Sequence, residues 1–327
     1  FRRMSRGGRA HALGDLDRNE ALESRFVERI AAGPAGPGCC SIVAADLRSG
    51  WVAAVEADTA RATASVFKVP VLVELGRRID AGELSWGERI ELTDADRSLG
   101  SGILIRLDNG LAPTVRDLAV LMTQISDNTA TDMLLHRLGI DSVNATMAAL
   151  GLRETVVRVD TDTLLRSILG DAPYSLSRHE MLPAAFAHGP DLDAAAWSAT
   201  TGNATTAREM AELFAALATA GGLAAIGVSE PTRQTLMGIL RDQQLVGRLP
   251  RRLPATQPVA HKTGTMPGLV LVANDAGVVE LADGALVVSV FTTTPMPFAE
   301  PELLGEFETE VERQIGDLTL LAFDAAT

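Results

Sequence analysis

Lysine is almost absent from this chain of 327 residues. Of its 29 basic residues, only Lys68 and Lys262 are lysines, and the rest are arginines. Arginine stays protonated in proteins, whereas a buried lysine shifts its pKa readily and can act as a base. In a chain that otherwise uses arginine for its cations, these two lysines are therefore candidate functional residues.

Cysteine and positive charge are also scarce. Cys39 and Cys40 are neighbours in sequence, so they cannot form an ordinary disulfide, and no spacing typical of a metal site occurs. The formal net charge of −13 argues against a nucleic-acid partner, which requires a basic face. We expect no disulfide framework, no metal and no other cofactor.

Long apolar runs are missing as well, so we expect no membrane span. Residues 1–26 are polar and contain no apolar stretch of the length that a signal peptide needs. This pattern predicts a cytoplasmic protein, although a leader removed beforehand would leave the same sequence. With 46% hydrophobic residues, the chain can bury a large core.

Strand patterns lie near both ends of the chain. The stretch "CSIVAADLRSGWVAAVEAD" reads as two strands joined at Ser49-Gly50, and "LVLVANDAGVVEL" and "GALVVSVFTTTP" flank a hairpin signal at Ala282-Asp283-Gly284. The run "PVAHKTGT" reads as a further strand. A lone hairpin is unstable, so we predict one antiparallel sheet formed by both chain ends.

The middle of the chain, from Ser65 to about Leu217, has mostly helical periodicity. Thr114 with Asp117, and Thr129 with Asp132, match the capping pattern of a helix start, and Gly139 matches a stop.

We therefore predict an α/β (α+β) protein whose sheet, with flanking helices, carries an inserted all-helical domain. The predicted parts are a sheet domain from 17–63 and 229–327, a helical domain from 64–228, and a poorly ordered extension over 1–16. The cleft between the two domains is the expected site.

Ser65 and Lys68 are spaced i, i+3 and would share a helix face. Desolvation in this apolar run would lower the pKa of the ammonium, which could then take the proton of the serine hydroxyl. Pro70 fits only a first helical turn, so Ser65 is expected at the helix N-terminus. The alternative is a lysine that merely extends along the surface at a helix start.

Two further motifs are ambiguous when taken singly. Ser126-Asp127-Asn128 lies between two predicted helices and could be a capping turn. Lys262-Thr263-Gly264-Thr265 lies on a predicted strand and could be a strand end with a bulge. Glycine in a strand also allows a ligand to come close, and lysine can bind a carboxylate.

Taken together and in this order, the three motifs resemble those of the class A β-lactamases and penicillin-binding proteins. Ser126 follows Ser65 by 61 residues, since 126 minus 65 is 61, close to the class A interval. The passages "TVRDLAVLMTQISDNTATDMLLHRLG" and "TGTMPGLVLVANDAGVVELADGALVVSVFTTTP" also resemble the family. The likeness covers roughly residues 38–320 and implies the same two-part architecture.

The resemblance implies a role for each catalytic residue. Ser65 would be the acylated nucleophile and Lys68 its base. Ser126 would pass a proton toward the leaving group, and Lys262 would lie across the cleft.

The resemblance also implies how substrate is held. Asn128 would bond the substrate amide. A substrate carboxylate would be held by Lys262, Thr263 and Thr265, with Gly264 between them in the motif. The backbone N–H groups of Ser65 and Thr265 would form the oxyanion hole.

The sequence departs from class A at the loop that should supply the deacylating glutamate. Arg158-Val159-Asp160 resembles the start of that loop, but Thr161-Asp162-Thr163 follows instead of glutamate. Asp162 is the first candidate to replace it, followed by Glu180 and His179. Asn203 could match the asparagine of the lost loop. Extra residues around 167–203 would form either a lid or a packed surface helix pair.

These observations favour a β-lactamase-like serine hydrolase that forms an acyl-enzyme on Ser65 with a lactam, amide or ester. The expected substrate is a small molecule that carries a carboxylate, and efficient β-lactam turnover is not expected. One alternative is a cytoplasmic esterase, amidase or acyltransferase of secondary metabolism on the same fold. Another is a ligand-binding protein without turnover. Zinc hydrolases and Ser-His-Asp hydrolases are poor alternatives, because HExxH and G-x-S-x-G are absent.

Overall fold

A computed structural model describes residues 13–176, 180, 183–184, 193–296 and 303–327. The strands are β1 (Asp17–Arg18), β2 (Cys40–Asp46), β3 (Trp51–Val55), β4 (Arg61–Ala62), β5 (Ala204–Thr205), β6 (Val259–Met266), β7 (Val270–Leu281) and β8 (Gly284–Pro295). The helices are α1 (Glu20–Ala31), α2 (Lys68–Asp80), α3 (Val115–Gln124), α4 (Asn128–Leu138), α5 (Ile140–Ala149), α6 (Thr161–Leu169), α7 (Ala207–Ala218), α8 (Glu230–Arg241) and α9 (Leu304–Ala326).

One six-stranded sheet joins the two ends of the chain, as the sequence predicts. Its order is β1-β3-β2-β8-β7-β6, and its pairs are antiparallel except for β1 with β3. The pairing of β2 with β8 connects the N-terminal strands to the C-terminal ones. β6 is left as an edge strand.

The predicted turns of the sheet are confirmed. β2 and β3 are joined through Gly50, whose φ of +79° glycine adopts without strain. The carboxylate of Asp46 accepts hydrogen bonds from the backbone N–H groups of Arg48 and Ser49 in this turn. β7 ends at Leu281 and β8 begins at Gly284, where the sequence predicts a hairpin.

Both faces of the sheet are covered, which explains why its strands read as almost continuous apolar runs. In β2, Ile42 and Ala44 pack with α1 and α9 on one face, whereas Val43 and Ala45 face the core shared with the helices of the middle segment. A strand buried on both sides shows little alternation of apolar and polar residues.

The helix α7 packs against β2, β7 and β8. It belongs by sequence to the predicted helical domain 64–228, yet it covers one face of the sheet. The core on that face runs without interruption from the sheet into the helical segment. The division into two domains with these boundaries stays a prediction.

One of the two predicted helix starts is confirmed and the other is wrong. Thr114 caps α3 together with Asp117. α4, however, begins at Asn128 and is capped by Asp127, not by Thr129. The Thr129 hydroxyl instead accepts a hydrogen bond from the backbone of Ser98. Gly139 ends α4 with a φ of +84°, as predicted.

Residues 1–12 of the expected N-terminal extension lie outside the described residues. In the part that is described, Leu13 is buried at the start of a short 3-10 turn, whereas Gly14 and Asp15 are exposed. Among the described residues, no helix combines the length and the apolar character that crossing a bilayer requires.

Candidate active site

Ser65 lies in a 3-10 turn, Ala64–Phe67, that leads directly into α2. The preceding residue, Ala64, has a φ of +42°, a conformation that costs a non-glycine residue energy. Pro70 falls in the first turn of α2, as its chemistry demands. This arrangement leaves Ser65 partly exposed on the wall of a cleft.

Lys68, the first residue of α2, is fully buried next to this turn. Its Nζ donates to the backbone O of Ser126 at 2.8 Å, to Ser126 Oγ at 3.1 Å and to Asn128 Oδ1 at 2.7 Å. Burial lowers the pKa of Lys68 to about 7, against the opposing effect of the Asp132 and Asp127 carboxylates. Near neutral pH, a substantial fraction of this amine is therefore unprotonated.

Ser126 connects the two lysines of the chain. Its Oγ lies 3.1 Å from Lys68 Nζ and 3.2 Å from Lys262 Nζ, and its φ of +59° is left-handed. Such a strained residue at a cleft is typical of a functional position. Burial lowers the pKa of Lys262 well below its usual value, and Lys68 lowers it further. Two neighbouring buried amines do not both hold a proton readily.

Asp127 anchors the backbone next to Ser126 through hydrogen bonds to both of its carboxylate oxygens. Its Oδ1 accepts from the backbone of Ala130 and caps α4. Its Oδ2 accepts from the backbone of Ile103 and Leu104 at 2.6 and 3.0 Å. The aspartate of the second motif is therefore structural, since it ties the helix start to a loop that lines the cleft.

Asn128 is largely engaged by the protein itself. Its Oδ1 accepts from Lys68, and its Nδ2 donates to the backbone O of Leu99 at 2.7 Å. An amide nitrogen carries two hydrogens, so one remains available to a ligand.

Gly264 brings β6 against the turn that carries Ser65. A Cβ at this position would lie 2.6 Å from the backbone O of Thr63 and 3.0 Å from the backbone N of both Ser65 and Val66. The sequence suggests that Gly264 lets a ligand approach. In the structure, the absence of a side chain at Gly264 lets the turn that carries Ser65 pack against β6. Thr263 and Thr265, on either side, line the cleft.

Asn274 of β7, the strand next to β6, also holds the turn that carries Ser65. Its Nδ2 donates to the backbone O of Ala62 at 2.8 Å and of Thr63 at 3.0 Å. Its Oδ1 accepts from the backbone of Thr292 in β8. The segment before Ser65 is therefore fixed to the two central C-terminal strands.

Arg248 is a site residue that the sequence analysis missed. Its guanidinium is buried and donates from Nη1 to the backbone O of Gly264 and of Asn274, each at 2.8 Å, and from Nη2 to Thr265 Oγ1 at 2.5 Å. No sequence signal separates it from the many other arginines, since it lies in an arginine-rich stretch with no motif.

Asp162, the first candidate for deacylation, is held in place by the protein. Its Oδ1 accepts from the backbone of Leu99 at 3.1 Å, and its Oδ2 from Arg166 Nε at 2.6 Å. It is not among the described residues that line the cleft. The residues of α6 that do line it are, apart from Thr161, apolar: Leu164, Leu165, Ile168 and Leu169.

Other residues in and around the segment where the sequence departs from the expected deacylation loop also have structural contacts. Asp160 caps α6 through the backbone N of Thr163 at 2.8 Å and lies 3.0 Å from His136 Nε2. The Asn203 side chain accepts from the backbone of Arg158 and Val159 and so holds the chain just before α6.

The insertion is only partly described. Glu180 is solvent-exposed and does have an interaction partner, whereas His179 lies outside the described residues. In the described part that follows, Trp197 is buried and packs against Gly268 in the turn between β6 and β7. This part of the insertion is therefore packed against the end of β6.

The cleft itself has a volume of about 730 Å³, in the range of small-molecule sites. Phe67, Ile125 and the apolar face of α6 line one part of it. At the end next to Thr265 lie Arg248 and two glutamates of α9, Glu308 and Glu312, which the sequence analysis did not select. A partly apolar cleft with a serine on its wall and two buried lysines beside Ser126 has groups that could carry out acyl transfer.

The sequence matches the model of the beta-lactamase enzyme family over residues 23–325, which is most of the chain. Among curated proteins, Beta-lactamase VEB-1 of Pseudomonas aeruginosa is 25% identical over 263 residues, covering 78% of this chain and 75% of that protein. Beta-lactamase regulatory protein BlaB of Streptomyces cacaoi is 27% identical over 297 residues, covering 85% and 91%.

Solved structures give the same result for the fold. A crystal structure of a beta-lactamase from Sphaerobacter thermophilus is 28% identical, with a TM-score of 0.71, covering 93% of this chain and 97% of that one. The structure of PBP-A, at 23% identity, has a TM-score of 0.71 and covers 95% of this chain and 97% of its own. At that identity the second match speaks for the fold alone.

Proposed function

The chain belongs to the beta-lactamase enzyme family, and from this premise we propose that it is a serine hydrolase which forms an acyl-enzyme on Ser65. The acyl donor is a lactam, amide or ester. The observation that carries the proposal is the convergence of Lys68 and Lys262 on the hydroxyl of Ser126, at 3.1 and 3.2 Å, in the cleft that Ser65 lines.

The acylation step uses Lys68 as the base. In its unprotonated form, Lys68 Nζ takes the proton of Ser65 Oγ while that oxygen forms a bond to the substrate carbonyl carbon. The carbon–nitrogen or carbon–oxygen bond then breaks. The leaving atom takes a proton from Ser126 Oγ, which recovers one from Lys68 across their hydrogen bond. The lysine ends unprotonated and ready for the next cycle.

The remaining motif residues are proposed to hold the substrate. The backbone N–H groups of Ser65 and Thr265 would donate to the carbonyl oxygen as it becomes negative. The free amide hydrogen of Asn128 would donate to the acyl group. Thr263 and Thr265 line the same cleft as Ser65, and Gly264 lets β6 approach the turn that carries Ser65. A substrate carboxylate at Lys262, Thr263 and Thr265 stays a prediction from the sequence.

Deacylation is proposed to be slow compared with acylation. Its base must lie within hydrogen-bond reach of a water that faces the ester carbonyl. Asp162 and Glu180 remain the candidates, but the Asp162 carboxylate already accepts from Leu99 and Arg166. The face of α6 that lines the cleft is mainly apolar. An acyl group on Ser65 would therefore meet little base assistance.

A ligand-binding role without turnover is the second candidate. The apolar face of α6 favours it, because an adduct that is not hydrolysed would persist and could serve as a signal. One curated relative is named as a regulatory protein. The two candidates share the acylation step and differ only in the lifetime of the ester.

Intact-protein mass spectrometry with penicillin G and with simple esters tests the proposal. The native protein should gain the mass of the acyl group, and Ser65→Ala should gain none while keeping its thermal transition. An equal adduct on Ser65→Ala would exclude Ser65 as the nucleophile. General-base assistance is worth about 10²–10⁴-fold, so Asp162→Asn should prolong the adduct clearly if Asp162 is the base. An unchanged lifetime would remove Asp162 from the mechanism.

A further inference from the structure

The end of the cleft next to Thr265 contains a positive charge that the protein has already neutralised. Arg248 Nη1 donates to two backbone carbonyls, and Nη2 donates to Thr265 Oγ1 and, at 3.5 Å, to Glu308. Its Nε lies 3.3 Å from a carboxylate oxygen of Glu312. Nη1 and Nη2 are therefore hydrogen-bonded within the protein, whereas Nε has no hydrogen-bond partner among the described residues and is paired with Glu312 by charge alone.

Glu308 and Glu312 come from α9 and lie one helical turn apart, so they share a face. Both line the cleft, with side chains that remain 22% and 24% exposed. The described residues that line the cleft carry one positive formal charge, Arg248, and two negative ones, a net of minus one. Burial raises the pKa of Glu312, against the opposing effect of Arg248.

The lysines do not change this balance. Lys262 is fully buried and donates to the backbone O of Thr263 and to Ser126 Oγ. Lys68 is fully buried as well, and neither lysine is among the described residues that line the cleft. Among those lining residues, the one cation is Arg248, which is already paired with the two glutamates.

We propose that Glu308 and Glu312 are specificity-determining residues which make the cleft select acyl donors without a carboxylate beside the scissile carbonyl. An entering carboxylate would have to displace Glu308 from Arg248, and the remaining glutamate charge would repel it. A neutral lactam, amide or ester meets neither obstacle. This inference rests on the proposed acylation of Ser65 and departs from the substrate that the sequence suggests.

A matched pair of acyl donors tests the selection. Penicillin G and its methyl ester share the same lactam and differ by one negative charge. Their second-order rate constants for adduct formation are measured by mass spectrometry on the native protein at low salt. We expect the methyl ester to react about tenfold faster, and Glu308→Gln and Glu312→Gln each to shift the ratio toward penicillin G by about tenfold.

Glu310→Gln is the matched control. Glu310 lies on the same helix, is largely exposed and pairs with Arg313, so its loss changes the net charge equally without touching the cleft. The ratio of the two rate constants measured for Glu310→Gln should equal the ratio for the native protein. Faster reaction of penicillin G with the native protein would overturn the inference. A ratio that all three glutamine variants leave unchanged would overturn it too.

Binding to Ser65→Ala separates this inference from the proposed function. If the native protein forms no adduct with either compound or with simple esters, the acyl-enzyme is excluded. Equilibrium binding of the same pair to Ser65→Ala, with and without Glu308→Gln, still measures the preference. We expect the methyl ester to bind more tightly, and the glutamine to reduce the difference. Equal binding of the two compounds, or binding of neither, would refute the selection.

Discussion

At the scale of single residues, the surroundings of Lys68 set its protonation. The three acceptors around Lys68 Nζ match the three N–H groups of an ammonium, which stabilises the charged form. Complete burial acts in the opposite direction. The balance leaves an amine that can exchange a proton near neutral pH, which an arginine in the same place could not do.

The first prediction concerns this proton. The rate of Ser65 acylation should rise with pH and reach half of its plateau near the Lys68 pKa of about 7, because below that pH the ammonium has no lone pair to accept the serine proton. Lys68→Arg should lower the rate by about 10²–10⁴-fold at every pH. Initial rates of adduct formation with a neutral ester, corrected for hydrolysis in buffer, give the profile.

Two results would contradict that role of Lys68. One is a rate that stays constant from about pH 6 to about pH 8. The other is acylation of Lys68→Arg at a rate close to native. Lys68→Met is the matched variant, since it fits the buried space better than arginine and lacks a titratable group; it should be equally slow.

The sequence was informative at this scale only where residues form an ordered motif. Ser65, Lys68, Ser126 and Lys262 could be selected because their order and spacing are diagnostic together. Arg248 could not, because its role depends on a backbone that folds around it. The contacts of Asp162 with Leu99 and Arg166 likewise follow from the packing of α6 and not from any local pattern.

At the scale of elements, the contact between β6 and the turn that carries Ser65 sets the geometry of the candidate site. Helices and strands could be predicted from periodicity, but the wrong cap at Thr129 shows the limit. Asp127 and Thr129 are both good capping residues. Only the loop that Asp127 also binds, through Ile103 and Leu104, distinguishes them.

The second prediction tests this contact. Gly264→Ala places a methyl group 2.6 Å from the backbone O of Thr63, so β6 and the turn must separate. We expect stability to fall by about 1–3 kcal/mol and acylation of Ser65 to slow by about 10²-fold. Urea unfolding and adduct formation measure the two effects.

Gly238→Ala serves as the control for Gly264→Ala. Gly238 lies inside α8, and a Cβ added there would meet no heavy atom of the described residues within 4 Å outside its own helix backbone and chain neighbours. Alanine there should be neutral or stabilise the helix by up to about 1 kcal/mol, with the acylation rate unchanged. If Gly264→Ala reacts at the native rate, the close approach of β6 does not position Ser65.

At the scale of the whole molecule, the sheet separates two cores. One core lies with α1 and α9 on the face away from the helical segment, and the other runs from the opposite face through α7 into the helices around Ser65. The sequence indicated that both chain ends form one sheet. It did not indicate that α7 would cover that sheet, because an amphipathic pattern shows that a helix has a buried face but not what it packs against.

The third prediction follows from this separation. Phe26 of α1 is completely buried in the core with α9, and Phe26→Ala should lower the free energy of unfolding by about 3–5 kcal/mol. Its neighbour Val27 is 52% exposed, so Val27→Ala should change stability by no more than about 0.5 kcal/mol. Since neither residue touches the cleft, the acylation rate per folded molecule should stay native in both variants.

Urea titration gives the stability, and active-site titration followed by adduct kinetics gives the rate. If folded Phe26→Ala protein acylates slowly, then packing in the core between the sheet and α1 also positions Ser65. In that case the two cores are energetically coupled.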